Sequence, residues 1–261
     1  MNILVCVKQV PGTTKVNINP ENNTLMRQGI ENIMNPFDTY ALEEGVRLKE
    51  RYGGKVTVLS MGPPQAEVML REAISCGADD AVLIGDRAFA GSDTLATSYT
   101  LSQAIKKFKD YDLIICGRQT IDGDTAQVGP ETAEMLGINF VSYVSKVEDV
   151  SNGQIRVQRL IEEGHEILET TLPALITVVK EINVPRLPSL RGKMKAKSVV
   201  ITNWNAESLE ADPNRLGLNG SPTKVVKIFS PQRTRIGEML PGSPEEQIES
   251  LIKKLKGNHL I

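Results

Sequence analysis

The sequence predicts an α/β fold, a doubly wound and mainly parallel sheet with helices on both faces. Three observations carry that prediction. Short, wholly apolar runs such as residues 3–7 and 113–116 read as strands buried on both faces. Helix-length segments bounded by Asn, Pro and Gly alternate with them through residue 140. Strand, helix and strand at this pitch imply right-handed crossovers, hence parallel pairing.

The elements follow in order. Residues 3–7 form the first strand, and a polar loop rich in Asn, Thr and Pro covers residues 11–34. Asn35-Pro36 then opens a helix, with Asn as N-cap, Pro at the first helical position and Asp38 in the first turn. Ala41, Leu42, Val46 and Leu48 make its apolar face, and Gly53-Gly54 stops it. Residues 56–59 form a second strand, and Pro63-Pro64 starts a helix ending near Cys76-Gly77. A third strand spans residues 81–84. Ser92 or Asp93 caps the next helix, which reaches about Phe108. After the strand at 113–116, a short helix runs from Pro130 to Leu136 and stops at Gly137. Strands at 141–150, 154–161 and 166–171 follow, with Ser151-Asn152-Gly153 as a turn, and 175–179 is one more.

Beyond Asn183 the texture changes. Pro185, Pro188, Pro213, Pro222, Pro231, Pro241 and Pro244 punctuate a stretch with little periodicity. We therefore expect residues 1–182 to form the α/β domain and residues 183–261 an extended arm that packs on something else. The arm ends in a helix over residues 243–256, capped by Ser243, with Glu245 and Glu246 first and Lys253, Lys254 and Lys256 last.

Composition removes several function classes. Lys plus Arg is 30 and Asp plus Glu is 32, a net charge of -2, so bulk attraction to nucleic acid is not expected. Aromatics are only 4%, too few for a base-stacking platform. No run approaches the ~20 apolar residues of a membrane span, and the N-terminus carries no basic leader, so a cytoplasmic protein is expected. Three dispersed cysteines (Cys6, Cys76, Cys116) and two histidines (His165, His259) make neither a disulfide framework nor a metal site. Glu162-Glu163, in a strand-like run, point to opposite faces and make a poor acid–base pair. No hydrolytic or metal-dependent catalytic set is evident.

The most informative stretch is Cys116-Gly117-Arg118-Gln119-Thr120-Ile121-Asp122-Gly123-Asp124-Thr125-Ala126-Gln127-Val128-Gly129-Pro130. It leaves a buried strand and enters a helix, where open α/β sheets bind ligands and where free N–H groups meet phosphate. A second loop, Phe89-Ala90-Gly91-Ser92-Asp93-Thr94, has the same placement, and Lys8 follows the first strand. Together they point to a nucleotide crevice; the plain alternative is capped polar turns. Arg186, Arg191, Lys193, Lys195 and Lys197 form a basic stretch beside Leu187, Leu190 and Met194. It reads as a solvated surface or as a docking surface.

Beyond spacing, the chain resembles the small (beta) subunit of electron transfer flavoproteins over essentially its whole length. The matching stretches are Val5-Cys6-Val7-Lys8-Gln9-Val10-Pro11, Asn35-Pro36-Phe37-Asp38 with Glu43-Glu44, and Asp122-Gly123-Asp124-Thr125-Ala126-Gln127. Leu172-Pro173-Ala174-Leu175-Ile176-Thr177-Val178, Asn183-Val184-Pro185-Arg186 and Met194-Lys195-Ala196-Lys197 complete them.

The resemblance implies an adenine-nucleotide-binding (HUP-like) domain and a heterodimer whose larger alpha subunit carries a mobile FAD. It implies AMP in the small subunit of ordinary members and a second FAD in electron-bifurcating members. Gly91-Ser92-Asp93-Thr94-Leu95-Ala96-Thr97-Ser98 and Ile161-Glu162-Glu163-Gly164 are similar to the bifurcating branch. That branch implies NADH as donor. One electron goes to ferredoxin or flavodoxin, and the other passes through the alpha-subunit FAD to an acyl-CoA dehydrogenase or enoyl-CoA reductase. The alternative is a subunit that holds structural AMP and docks the dehydrogenase.

By the same resemblance, Cys6, Val7, Lys8, Asn35 and Asp38 line the adenosine pocket. Thr125, Ala126, Gln127 and Val128 bind phosphate, in the loop begun by Cys116, Gly117 and Arg118 and turned by Asp122, Gly123 and Asp124. Asp93, Thr94 and Arg118 serve the extra length of FAD. Leu190 is the docking leucine, flanked by Leu187 and Met194. Arg191-Gly192-Lys193 departs from better-known versions of that loop, which leaves the dehydrogenase open.

Overall fold

A computed structural model describes residues 1–12, 31–226 and 237–261. The expected loop at 11–34 and Pro231 lie largely or wholly outside them. The chain forms two compact units, Met1–Val226 and Lys227–Ile261.

In the first unit the strands are β1 (Asn2–Cys6), β2 (Gln9–Pro11), β3 (Asn32–Met34), β4 (Lys55–Met61), β5 (Asp80–Ile84) and β6 (Leu113–Gly117). They continue with β7 (Asn139–Ser151), β8 (Gln154–Ile161), β9 (Gly164–Thr171), β10 (Ala174–Val178) and β11 (Thr202–Trp204). The helices are α1 (Pro36–Tyr52), α2 (Glu67–Ser75), α3 (Thr94–Lys106), α4 (Val128–Leu136) and α5 (Leu190–Ser198). Among the described residues, nine strands form one sheet in the order β11-β5-β4-β1-β6-β10-β7-β8-β9. Pairing is parallel from β11 to β7 and antiparallel through β8 and β9. β2 and β3 form a separate antiparallel pair.

Alternation along β1 explains the two layers. Ile3, Val5 and Val7 enter one apolar cluster with residues of α1 and α2, while Leu4 and Cys6 enter the other with residues of α3 and α4. Each fully buried Ile or Leu removes apolar surface worth roughly 2 kcal/mol. The sheet is therefore the doubly wound, mainly parallel one expected. Strand order reverses on either side of β1, so the carboxyl ends of β1 and β6 flank the crevice where such sheets take ligands.

Local boundaries shift for local reasons. Pro63-Pro64 opens a 3₁₀ turn at Pro64–Ala66, and the α-helix begins only at Glu67. α3 ends at Lys106 rather than at Phe108, and α4 begins at Val128, ahead of Pro130. Glu162 and Glu163 form the turn between β8 and β9 rather than lying within a strand.

The larger difference concerns residues 183–226, expected to lie in the arm beyond the domain. The compact unit continues to Val226. Ala196, Ile201, Leu209 and Leu216 bury into the two clusters, and β11 covers the edge of β5. Gly192 lets α5 lie against Ser75 at the end of α2, where a Cβ would collide with the Ser75 carbonyl. Four apolar anchors spaced along an aperiodic segment give no helical or strand period, so sequence pattern could not show them.

The second unit contains α6 (Pro244–Gly257). Its Ser243 hydroxyl accepts from the Glu246 N–H while the Glu246 carboxylate accepts from the Ser243 N–H, a complete capping box. Met239, Leu240, Ile248 and Leu251 line a shallow groove between α6 and the segment before it. No helix among the described residues is long and apolar enough to cross a membrane.

Candidate functional site

The crevice is assembled by polar side chains that reach across the sheet top. Asn35 occupies the N-cap position of α1 but makes no capping bond. Its fully buried amide instead donates to the Gln119 carbonyl at 2.9 Å, and its oxygen accepts the Ile121 N–H at 3.1 Å. Asn35 thus braces the loop after β6 against the start of α1.

Asp38, one turn on, accepts the Lys8 N–H at 2.7 Å. Gly117 at the end of β6 lies so close that a Cβ there would overlap the Asp38 carboxylate and the Phe37 backbone. Burial pushes the Asp38 carboxyl up to about 7, against the downward pull of Asn35, of the Lys8 and Gly117 N–H groups and of the Lys8 charge. Cys6 and Cys116 face each other across β1 and β6. Their mutual hydrogen bond and burial raise the Cys116 thiol well above its ordinary range.

Lys8 spans the crevice mouth to Asp122, Nζ to Oδ2 2.8 Å. Burial raises the Asp122 carboxyl, but its bond to Lys8 and the Lys8 charge outweigh that and hold it below the usual carboxylate range. Gln119 links onward to Asp124 through its amide. Asp124 and Ala126 both have left-handed backbone, at φ 54° and 56°. With Tyr143 at 57°, three of the six such non-glycine residues described lie in or beside this crevice. Backbone strain of this kind gathers at functional sites. Gly129, in the first turn of α4, presses against the Thr177 methyl of β10, leaving no room for a Cβ. The N–H groups that open α4 have no partner within the helix.

The second loop reaches the first through Thr94. Its hydroxyl lies 3.3 Å from the Gln127 side chain and 3.2 Å from Glu131, whose other oxygen accepts from Ser98 at 3.0 Å. Asp93 is used differently. It caps α3 by accepting the Ala96 N–H at 3.1 Å, and its second oxygen accepts from the N–H and hydroxyl of Thr223. Burial raises its carboxyl, but those bonds prevail and hold it below the usual range. Asp93 therefore fastens residues 221–223 onto the loop.

The structure thus joins Lys8, Asn35, Asp38, Gly117, Arg118, Asp122, Asp124 and Gln127 into one constellation, with Cys6, Val7 and Cys116 as buried floor. Gly123 and Thr125 stand exposed on the same loop, and Val128 starts α4. Phe37, Tyr143 and Glu131 join them. Of these, Glu131 and Tyr143 were not read from the sequence; Tyr143 sits in a run that reads as ordinary strand. For an adenine nucleotide the set fits: a backbone-rich loop ending on a helix start and a guanidinium positioned beside it.

Leu187, Leu190 and Met194 lie apart from the crevice and are 88%, 79% and 67% exposed. Their segment is anchored by Arg186, which donates to buried Glu43 (Nε to Oε2 2.8 Å) and to Glu50 at 2.6 Å. Asn183 donates to Glu44 and to the Tyr40 carbonyl. Burial raises the Glu43 carboxyl, yet its bonds to Arg186 and Arg47 prevail and lower it overall. Burial keeps Glu44 high despite the Asn183 bond.

Residues 22–209 match the family model described as the electron transfer flavoprotein domain. Over its full length the chain is 53% identical to an electron transfer flavoprotein subunit beta of Thermoanaerobacterium thermosaccharolyticum and 49% identical to that of Clostridium acetobutylicum, covering all of each. It is 48% identical, again over both full lengths, to the caffeyl-CoA reductase-Etf complex subunit CarD of Acetobacterium woodii.

Proposed function

The chain belongs to the electron transfer flavoprotein family, and from that premise we propose that it is the small subunit of a bifurcating heterodimer. In this reading its crevice holds FAD and its partner is the larger alpha subunit, gripped in part by the second unit. NADH is the donor, and ferredoxin or flavodoxin is one acceptor. The other acceptor is an acyl-CoA dehydrogenase or enoyl-CoA reductase, reached through the alpha-subunit FAD and docked on Leu187, Leu190 and Met194. The setting is the cytoplasm.

The observation that supports this best is the convergence of two loops on one crevice at the switch point, joined where Thr94 meets Gln127. Similarity to CarD, whose name places it in a reductase complex, supports the acceptor. When bound, the flavin supplies the one- and two-electron chemistry that no side chain here provides. The chain's own residues do the rest. Asn35 and Asp38 shape the adenosine end. Thr125, Ala126, Gln127 and Val128 present the helix start to phosphate. Cys6, Val7 and the β6 end exclude water beneath.

A second reading is kept alive by one observation. Asp93 spends both oxygens inside the chain, so the second loop offers Thr94 as its main group toward a longer ligand. The AMP-holding form needs no more than that.

The test is a nucleotide count on the heterodimer co-expressed with its alpha subunit, by chromatography after denaturation. Two FAD and no AMP is the expected result. One FAD and one AMP would replace it with the AMP form. Absence of any adenine nucleotide beyond one FAD would overturn both.

A further inference from the structure

β7 contains an extra residue opposite β10. Val141 pairs with Ile176, and the next pair is Val144 with Val178, so three steps on β7 match two on β10. Tyr143 sits in that bulge with φ 57°. A left-handed aromatic residue costs of order 1–2 kcal/mol that glycine would avoid. Its N–H donates to the Thr177 hydroxyl at 3.3 Å, and the Thr177 methyl carries Gly129 of α4. The strained residue is thus held by the crevice's own parts. Its ring does not fill the core, being 40% exposed.

The ring faces Arg118. The guanidinium carbon lies 5.6 Å from the Tyr143 centroid and 5.3 Å from that of Phe37. Nε donates to Gln119 at 2.8 Å. Among the described residues Arg118 makes no ion pair, although carboxylates crowd the same loop. Two π-faces hold the cation, and among the described residues its terminal donors make no hydrogen bond. A planar fork beside a helix start matches the oxygens of a phosphate.

We propose that Tyr143 is a positioning residue for nucleotide binding, its bulged ring holding the Arg118 guanidinium against Phe37 so that the fork meets the nucleotide's phosphate. The inference rests on the nucleotide reading above and adds a residue and a role to it.

The experiment is calorimetric titration of the nucleotide-stripped heterodimer with FAD and with AMP. Tyr143→Gly should bind the nucleotide about tenfold more weakly than wild type. Its thermal midpoint should not fall, because glycine adopts this backbone freely. Tyr143→Phe, which keeps the ring face, should stay within about threefold of wild type. In an Arg118→Lys background, which lacks the planar fork, the glycine change should cost less than about threefold. Wild-type affinity in Tyr143→Gly would overturn the inference. So would Tyr143→Phe binding as weakly as the glycine variant, or a full tenfold loss in the lysine background. If wild type binds neither nucleotide, the nucleotide reading itself fails and this inference with it.

Discussion

The crevice and the α5 segment use polar and apolar groups in opposite ways. At the crevice, polar side chains are buried: Asn35 is fully enclosed and Asp38 nearly so, and both are spent on backbone groups of neighbouring loops. At α5 the apolar side chains are outside, and charges hold the segment down through Arg186, Glu43 and Glu50. The difference supports the role proposed for each region. A crevice framed by braced backbone donors suits a small polar ligand. A fixed ridge of exposed leucine and methionine suits a protein surface. Helix α1 serves both, with Asn35 and Asp38 at its start and Glu43, Glu44 and Glu50 further along.

Gly117→Ala tests the crevice most severely. The added methyl has only the Asp38 carboxylate and Phe37 to displace, so we expect about 3 kcal/mol of destabilisation in urea unfolding, with loss of nucleotide. Retention of full nucleotide content would show that the β6 end does not frame the site.

Glu43→Gln tests the other region. It leaves Arg186 and Arg47 without their shared buried carboxylate, at about 2–3 kcal/mol. Amide exchange should quicken over residues 184–198 while nucleotide content holds. Were nucleotide lost in parallel, the two regions would not be separable.

Asp38→Asn gives a pH signature confined to the crevice. Burial raises the folded-state value from 3.8 to about 7, so the carboxyl's contribution is complete below about pH 4 and fades as pH rises to about 7. Relative to wild type, the asparagine variant should gain about 2–4 kcal/mol over that window and stay level above it. A gap constant from pH 4 to 8 would remove burial as the dominant influence on Asp38.

Leu190→Ala should have the smallest structural effect. The side chain is 79% exposed, so stability should change by less than about 0.5 kcal/mol. Electron transfer to the dehydrogenase should slow markedly with flavin content unchanged. A normal transfer rate would leave α5 as an ordinary surface helix.

By itself, the sequence determined the features that depend on neighbours along the chain. Apolar runs, the Asn35-Pro36 helix start, the Gly53 stop and the Ser243 capping box all act within about four residues, and all are legible as pattern. The doubly wound sheet follows from their alternation, and the family from motif order. Tertiary structure decided what depends on partners far away in sequence. Asn35 braces Gln119 and Ile121 instead of capping, Asp93 fastens Thr223, and Arg186 finds Glu43. Residues 190–216 join the domain through four scattered anchors. The Tyr143 bulge exists only because β7 and β10 differ by one residue in register. A side chain's choice between a local cap and a distant carbonyl is a competition between bonds of similar strength, and geometry across the sheet, absent from the local pattern, settles it.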